Sequence, residues 1–442
     1  MKSLVFIGLF FFCAGGAFIM PHLGVYGYIA DYSIGPAGQW WERPFSGLGL
    51  RYSFTLAFAT LAGMILQWGK LRHGERLLQE QEIFLLVFLS IIWTSTMMGP
   101  QTTARYSTVD HPSIKFTKII VFNMMMTHII TEKKNLDGLF WAFVLISLVL
   151  GLQAWGTPRR AFEGGRLEGV GGADFAESNF FAAFMAAMLP IIGIQLLRSG
   201  WKGKILCTIS AAFTANAVVL CRSRGAFVGI AAGAITACLF APKKHRKTIF
   251  AGLILGMMGG LYVADEQFLE RLTTISAEEE ELDESAGSRF RLWRAGMEMV
   301  EDYPLGIGVG NWYQNIGRYI PEYAGKDCHS TYVKLIAELG IQGAVVFSFI
   351  VLICFFKLKN IRKQAERLPK NIGDDFMQFS FALTVSGAIF LTCGLTISMT
   401  YMEFLWILMM LPVCLRRAFE NTLTDHNILI SGEMSPHEAE NV

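Results

Sequence analysis

IKFTKIIVFNMMMTHIIT, residues 114–131, decides the fold. A helix needs roughly 17 to 20 apolar residues to cross a hydrocarbon core, and this stretch is long enough. It also carries Lys115, Lys118 and Asn123, so hydropathy alone leaves it undecided. Other apolar windows of similar length lie at about 4–20, 52–68, 83–99, 137–155, 178–197, 205–220, 225–241, 248–264, 340–356, 376–395 and 400–415. If residues 114–131 span and the N-terminus is inside, the basic short loops all face one side. These hold Lys70, Arg72 and Arg76, then Lys133 and Lys134, then Arg198, Lys202 and Lys204, then Lys243, Lys244, Arg246 and Lys247. The run from Lys357 to Lys370 joins them, with Arg416 and Arg417. Omitting the stretch throws the later basic loops outside, against the bias that keeps Lys and Arg in cytoplasmic loops. The sequence therefore predicts an all-α integral membrane protein of about twelve transmembrane helices. Both ends are cytoplasmic, and a large outer loop carries short helices.

Composition agrees. Of 442 residues, 53% are hydrophobic and 17% charged, and the mean hydropathy of +0.41 lies well above that of soluble domains. The net charge of +2 says little about partners, and no nucleic acid is expected among them. Three regions are expected: 1–160, N-terminal membrane helices with an aromatic interfacial segment; 161–415, a membrane core that includes the outer loop 265–339; and 416–442, a cytoplasmic tail. Lys2, an apolar run, Gly15 and Ala17 look like a signal peptide, yet an uncleaved first helix is the reading adopted. Pro21 to Arg51, with Trp40 and Trp41, reads as an anchor resting in the outer interface.

The eight cysteines show no zinc spacing and no CxxC. Cys221 and Cys328 fall at the outer face, where a bridge is chemically open and two free thiols are the simpler expectation. Charge types are unevenly placed. The inner side is mostly Lys, whereas Arg43, Arg51, Arg105, Arg159, Arg160, Arg166, Arg222, Arg224, Arg271, Arg289, Arg291, Arg294 and Arg318 fall outside. A guanidinium binds phosphate oxygens bidentately, which an ammonium does not. Snorkelling and pairing with lipid phosphates is the alternative for any single arginine.

Tight motifs narrow the choice. CRSRGAFVG, residues 221–229, makes a very short outer turn that sets Arg222 and Arg224 at the membrane edge, and Gly225 permits close approach. Capping two helix ends is its structural alternative. In the outer loop the acidic run Glu278 to Glu284 reads as a solvated flank. Ser288 can then cap a helix running to about Glu301, stopped by Pro304. Phe290, Trp293, Met297 and Val300 share one face of it, with Arg291, Arg294 and Glu298 opposite and Arg289 at the first turn. GIGVGN, residues 306–311, follows no strand and is not a nucleotide fingerprint; amides presented to a sugar or phosphate and a plain loop both remain open. His329 opens the helix of DCHSTYVKLIAELG, residues 327–340. A lone His is more often structural, although nearby arginines would keep this one neutral, as a general base must be.

Taken in order, S-R-G at 223–225, R-x-x-x-W at 289–293, G-x-G-x-G-N at 306–311, and H-x-x-Y with a following E-x-G at 329–340 resemble the signature of the O-antigen ligase and polymerase superfamily. Arg166, Gly169 and Asn179 resemble that family's R-x-x-G and Asn-Phe stretch before the sixth span. Ser330 departs from the Asn that commonly follows the His. The aromatic portion before Arg51 is similar to ligase-like members of exopolysaccharide or exosortase systems, which include protein O-glycosylation ligases.

The resemblance implies an inverting, metal-independent glycosyltransferase without cofactors at the periplasmic face of the bacterial inner membrane. It implies a donor glycan on a polyprenyl diphosphate, such as undecaprenyl diphosphate, and an acceptor hydroxyl on a lipid core (as in lipopolysaccharide), a protein or another glycan. His329 would be the base. Arg224 and Arg289, assisted by Arg222 and Arg291, would bind the donor diphosphate, and Arg166, Asn179, Asn311 and Glu338 are candidate substrate contacts. A repeat-unit polymerase fits the same motifs. A lipid-linked glycan transporter is the alternative of another class, although it normally carries ionisable groups near the midplane.

Overall fold

The computed structural model describes residues 2–36, 39, 41–72, 74–100, 111–263 and 284–425. Among these the chain is helical, with no strand. The helices are α1 (Lys2–Gly16), α2 (Pro21–Ile34), α3 (Tyr52–Leu66), α4 (Glu80–Met98), α5 (Pro112–Ile129), α6 (Lys133–Gly156), α7 (Ser178–Arg198), α8 (Trp201–Cys221), α9 (Arg224–Phe240), α10 (Arg246–Val263), α11 (Glu284–Asp302), α12 (Trp312–Tyr319), α13 (Thr331–Ala365), α14 (Lys370–Cys393) and α15 (Glu403–Asp425). Among the described residues six are long and apolar enough to cross a membrane: α4, α6, α7, α8, α13 and the Ile372–Cys393 part of α14. The apolar parts of α1, α3 and α9 are shorter. Trp40, Arg105, Arg271 and the acidic run as far as residue 283 lie outside the described residues.

The deciding stretch forms α5, and its weak hydropathy has a physical cause. Phe116, Ile119, Phe122, Asn123, Met126 and Thr127 are all buried by neighbouring helices, so the segment does not have to satisfy lipid. Asn123 donates to the Ile119 carbonyl at 2.9 Å, and Lys115 pairs with Asp174 at 2.9 Å. At the far end of α5 the Thr127 hydroxyl donates to Glu82 at 2.6 Å. Trp406 of α15 packs on Phe88 and Phe116, with ring centroids 4.9 and 5.0 Å apart.

Two segments differ from expectation. Pro21–Ile34 is a helix packed against α1, α3, α5 and α6, with Val25 and Ile29 fully buried, where the sequence suggests an interfacial anchor. Gly24 and Gly27 explain the fit, because a Cβ at either would strike Thr60 or Cys13. α15 does not stop at residue 415 but continues to Asp425, so Arg416 and Arg417 are helix residues instead of the start of a tail. Arg417 is fully buried and pairs with the equally buried Glu82 at 2.8 Å, and Arg416 pairs with Glu420 at 2.5 Å.

Charges gather at both ends of the bundle. At one end Arg198 meets Asp137 at 2.5 Å and Asp375 at 2.9 Å, Lys133 pairs with Asp375, Lys244 with Asp374 and Lys357 with Glu80. At the other, Asp174 binds Tyr32 and Lys115, and the Gly172 amide donates to Ser33. The loops that the charge pattern assigns to one face thus do meet at one end.

Candidate active site

α13 organises the second end. It breaks at Gly340, whose φ of 71° and ψ of −176° leave the helical region. The break frees carbonyls that the 304–311 turn then satisfies. The amides of Ile307 and Gly308 donate to Ala337 and Glu338 at 3.0 Å each, and the Ile341 amide donates to Pro304 at 3.3 Å. Gly306 and Gly308 both have φ of 91°, open to glycine at little cost, and a Cβ on Gly306 would strike the Glu338 carbonyl. The glycines therefore serve a wedge between two backbones, and these amides are taken.

Glu338 and Asn311 belong to the same wedge. Glu338 is fully buried and accepts from the Trp312 amide at 3.1 Å and the Gly310 amide, beside Tyr401. Asn311 donates to the Ile307 carbonyl at 2.7 Å and heads α12. The helices α11 and α12 build a small core of Leu292, Ala295, Met299, Trp312 and Ile316 against the first turns of α13. Within α11 the buried face is thus Leu292, Ala295 and Met299, whereas Phe290 and Met297 are exposed. Gly296 brings this helix onto Val333 and Trp312, and that contact rotates the face from the one suggested by aromatic spacing.

His329 stands just before α13, in a left-handed backbone conformation with φ of 53°. A non-glycine residue held there costs about 1–2 kcal/mol, and such strain persists only where surrounding bonds over-determine it. Those bonds are present. Ser330 caps α13, accepting from the Val333 amide, and the Thr331 amide donates to Gly394 at 2.8 Å. The Thr331 hydroxyl donates to the Ile397 carbonyl at 2.5 Å and accepts from the Met399 amide at 2.9 Å. Before it, the Cys328 carbonyl accepts from the Trp293 indole at 3.1 Å, and Asp327 Oδ2 accepts the His329 amide at 3.0 Å. The imidazole itself is 44% exposed, which leaves it open to a substrate.

Burial lowers the His329 pKa below its ordinary value, Arg289 and Lys334 add to the effect, and Asp327 opposes it. The ring is neutral at pH 7. Asp327 would be raised by its burial, but Lys334, the Ser398 hydroxyl and the His329 amide outweigh that and hold it below the usual carboxylate range. Glu177, preceding α7, is raised by burial and by the negative charges of Asp327 and Glu168. Its field shows that the loop before α7 faces the His329 turn.

The turn at 221–225 reaches the same place by a different route. Arg222 ends α8 in a left-handed conformation, φ 47°, and its Nη1 donates to the Gly165 carbonyl at 2.6 Å. Ser223 caps α9 and donates to Asn179 Oδ1 at 2.8 Å; Arg166 donates to the same oxygen at 2.6 Å and to the Cys221 carbonyl at 3.1 Å. Arg166 and Asn179 thus tie the loop at 163–179 to this turn. Arg224 is the first residue of α9, and Gly225 lies flush on Thr396, where a Cβ would collide. Thr396 belongs to the segment that brackets Thr331, so residues 393–400 join the Arg224 turn to the His329 turn.

Arg289 is brought to His329, but Arg291 is not. Arg291 donates to Glu322 and Tyr323 and lies 4.6 Å over the Tyr323 ring. Cys221 and Cys328 are both buried free thiols. Sequence reasoning overlooked Lys334, Tyr313 and Glu177; the available signal was a lysine within the first two turns of an otherwise apolar helix. A cleft of about 440 Å³ lined by Asp137, Trp141, Gln195, Arg198, Trp201 and Lys202 lies at the opposite end, where Arg198 is already engaged by Asp137.

Residues 209–348, which contain both arginine motifs, the glycine wedge, His329 and Glu338, match the model of a family described as O-antigen ligase. The chain carries an O-antigen ligase family segment. No curated protein matches it. O-antigen ligase family proteins are membrane enzymes of ligase or polymerase type, which move a glycan from a lipid-linked donor to an acceptor. The matched segment supplies the His329 and Arg224 turns, and the loop and helix before it supply Arg166, Glu177 and Asn179.

Proposed function

We propose that the protein transfers a glycan from a polyprenyl-diphosphate carrier, undecaprenyl diphosphate or a close relative, to an acceptor hydroxyl at the periplasmic face of the bacterial inner membrane. The displacement is inverting and needs no metal. The acceptor oxygen attacks the anomeric carbon as neutral His329 takes its proton, and the anomeric C–O bond breaks with its electron pair leaving on the diphosphate. Arg289 and Arg224 neutralise that charge as it develops, with Arg222 behind them. Arg291, paired with Glu322, would assist from there. Arg166 and Asn179 hold the Arg224 turn in place, and Asn311 and Glu338 hold the wedge beneath α13.

One observation carries the reading most directly. A half-exposed histidine kept neutral by burial and by Arg289 stands in a strained, fully bracketed turn inside the matched family segment. Twelve spans with this end outside is the topology proposed, supported by the grouping of the basic loops at the other end. The acceptor is a lipid core, a protein hydroxyl or the next repeat unit. Deleting the gene and comparing lipopolysaccharide, glycoprotein and exopolysaccharide gels tests the function. One of the three pools should lose its glycan while lipid-linked donor accumulates; three unchanged pools would contradict the proposal.

A further inference from the structure

A base in a half-exposed turn must keep the correct ring nitrogen free, and the His329 main chain does not do that alone. Within the assignment of His329 as base, we propose that Asp327 is its positioning residue: one carboxylate oxygen, locked by Lys334 and Tyr313, leaves the other to fix both the His329 backbone and its Nδ1. Nε2 is then the nitrogen that meets the acceptor hydroxyl.

The Lys334, Tyr313 and His329 contacts divide between the two oxygens, with the Ser398 hydroxyl also beside the carboxylate. Oδ1 accepts from Lys334 Nζ at 2.9 Å and from the Tyr313 hydroxyl at 2.8 Å, and Lys334 also donates to Tyr313 at 3.1 Å. The Lys334 side chain is only 8% exposed, so its charge is fixed in place and does not wander in solvent. Oδ2 accepts the His329 amide at 3.0 Å and lies 3.6 Å from Nδ1. That last distance exceeds a hydrogen bond, but catalytic contacts in substrate-free sites are commonly long and close when substrate binds. A carboxylate accepting an amide two residues on is also a turn motif, and here it is one of the bonds that bracket the left-handed His329.

The arrangement works as the buried carboxylate does in a Ser-His-Asp triad, where it holds the tautomer and stabilises the imidazolium without taking the proton. The proton passes from the acceptor oxygen to Nε2 and stays on the ring until it exchanges with water. The charged groups that act on the ring are Asp327 from its own turn, Lys334 from α13 and Arg289 from α11; Glu177, preceding α7, acts on Asp327.

The test uses the full-length protein in detergent. Diethylpyrocarbonate modifies neutral imidazole, so the pH dependence of His329 carbethoxylation, read by peptide mass spectrometry, reports its protonation without substrate. In Asp327→Asn the midpoint should move to lower pH, because the one charge that favours the protonated ring is gone. Transfer from a polyprenyl-diphosphate-linked oligosaccharide should fall about tenfold or more, and Asp327→Glu should recover part of it. Asp327→Asn strands a buried ammonium, so the same curves are taken on Asp327→Asn with Lys334→Met, which removes both charges. An unmoved midpoint in folded Asp327→Asn overturns the proposal; in the double variant the loss of Lys334 opposes the shift, and there the fall in transfer is the readout, so normal transfer overturns it. Failure of both variants to fold also overturns it, since Asp327 would then be structural. A shifted midpoint with normal transfer would uphold the Asp327–His329 link and instead remove His329 from the chemistry.

Discussion

In the proposed transfer, His329 and Arg289 divide the chemistry between a neutral base and a permanent charge. Burial holds the imidazole below its ordinary pKa, and Arg289 adds to the effect. As pH falls through that lowered value the ring is protonated and transfer is lost, so the loss should begin at a more acidic pH than for an unperturbed histidine. Lysine cannot replace arginine at the leaving group, because an ammonium lacks the two parallel donors that meet a diphosphate. Arg289→Lys and Arg224→Lys should each lower transfer by about tenfold or more in protein that still inserts, as loss of a charge-stabilising donor does. A chelator should leave the wild-type rate essentially unchanged. Activity that vanishes with chelator and returns with magnesium would assign the electrostatics to a metal instead. The motif arginines and His329 could be named in the sequence from spacing and resemblance, and their proposed roles rest on that naming. Lys334 and Tyr313 could not, because the order of residues cannot show that a helix breaking nine residues on from Thr331 will fold its lysine back over Asp327.

Among the elements, the interrupted helix α13 matters most. Its break at Gly340 exposes carbonyls that would be costly to bury unpaired, and the Gly306–Gly310 turn supplies the missing donors. The site and the bundle are thereby fastened together, since the same turn leads into α12 and the core under His329. Gly340→Ala places a Cβ against the Pro304 carbonyl at φ 71° and should cost about 1–3 kcal/mol, seen as a lower melting midpoint of the purified protein. Gly252→Ala in α10, where a Cβ meets nothing within 4 Å, should be neutral or slightly stabilising. Equal effects of the two changes would argue that the wedge carries no load. The sequence shows glycines spaced for a turn, but whether their amides face a ligand or another backbone depends on α13 having a break to fill.

For the molecule as a whole, hydropathy and charge pattern predicted a helical membrane protein, and burial explains where they fell short. α5 is wrapped by other helices and can carry Lys115 and Asn123. Arg417 escapes the expected tail because Glu82 neutralises it inside the bundle. α2 hides behind aromatic residues that look interfacial until their helix is packed. The resulting scaffold gathers one set of loops at each end and sets His329, Arg289 and the Arg224 turn at the end opposite Arg198, Lys133 and Lys244. The most direct measurement is transfer by the purified full-length protein in proteoliposomes, given a polyprenyl-diphosphate-linked oligosaccharide and a hydroxyl acceptor and followed by mass spectrometry of the product. Wild type should form the glycosylated acceptor and release polyprenyl diphosphate, whereas His329→Ala should insert, bind the donor and form no product above background. A well-folded His329→Ala protein that transfers at near the wild-type rate would contradict the account.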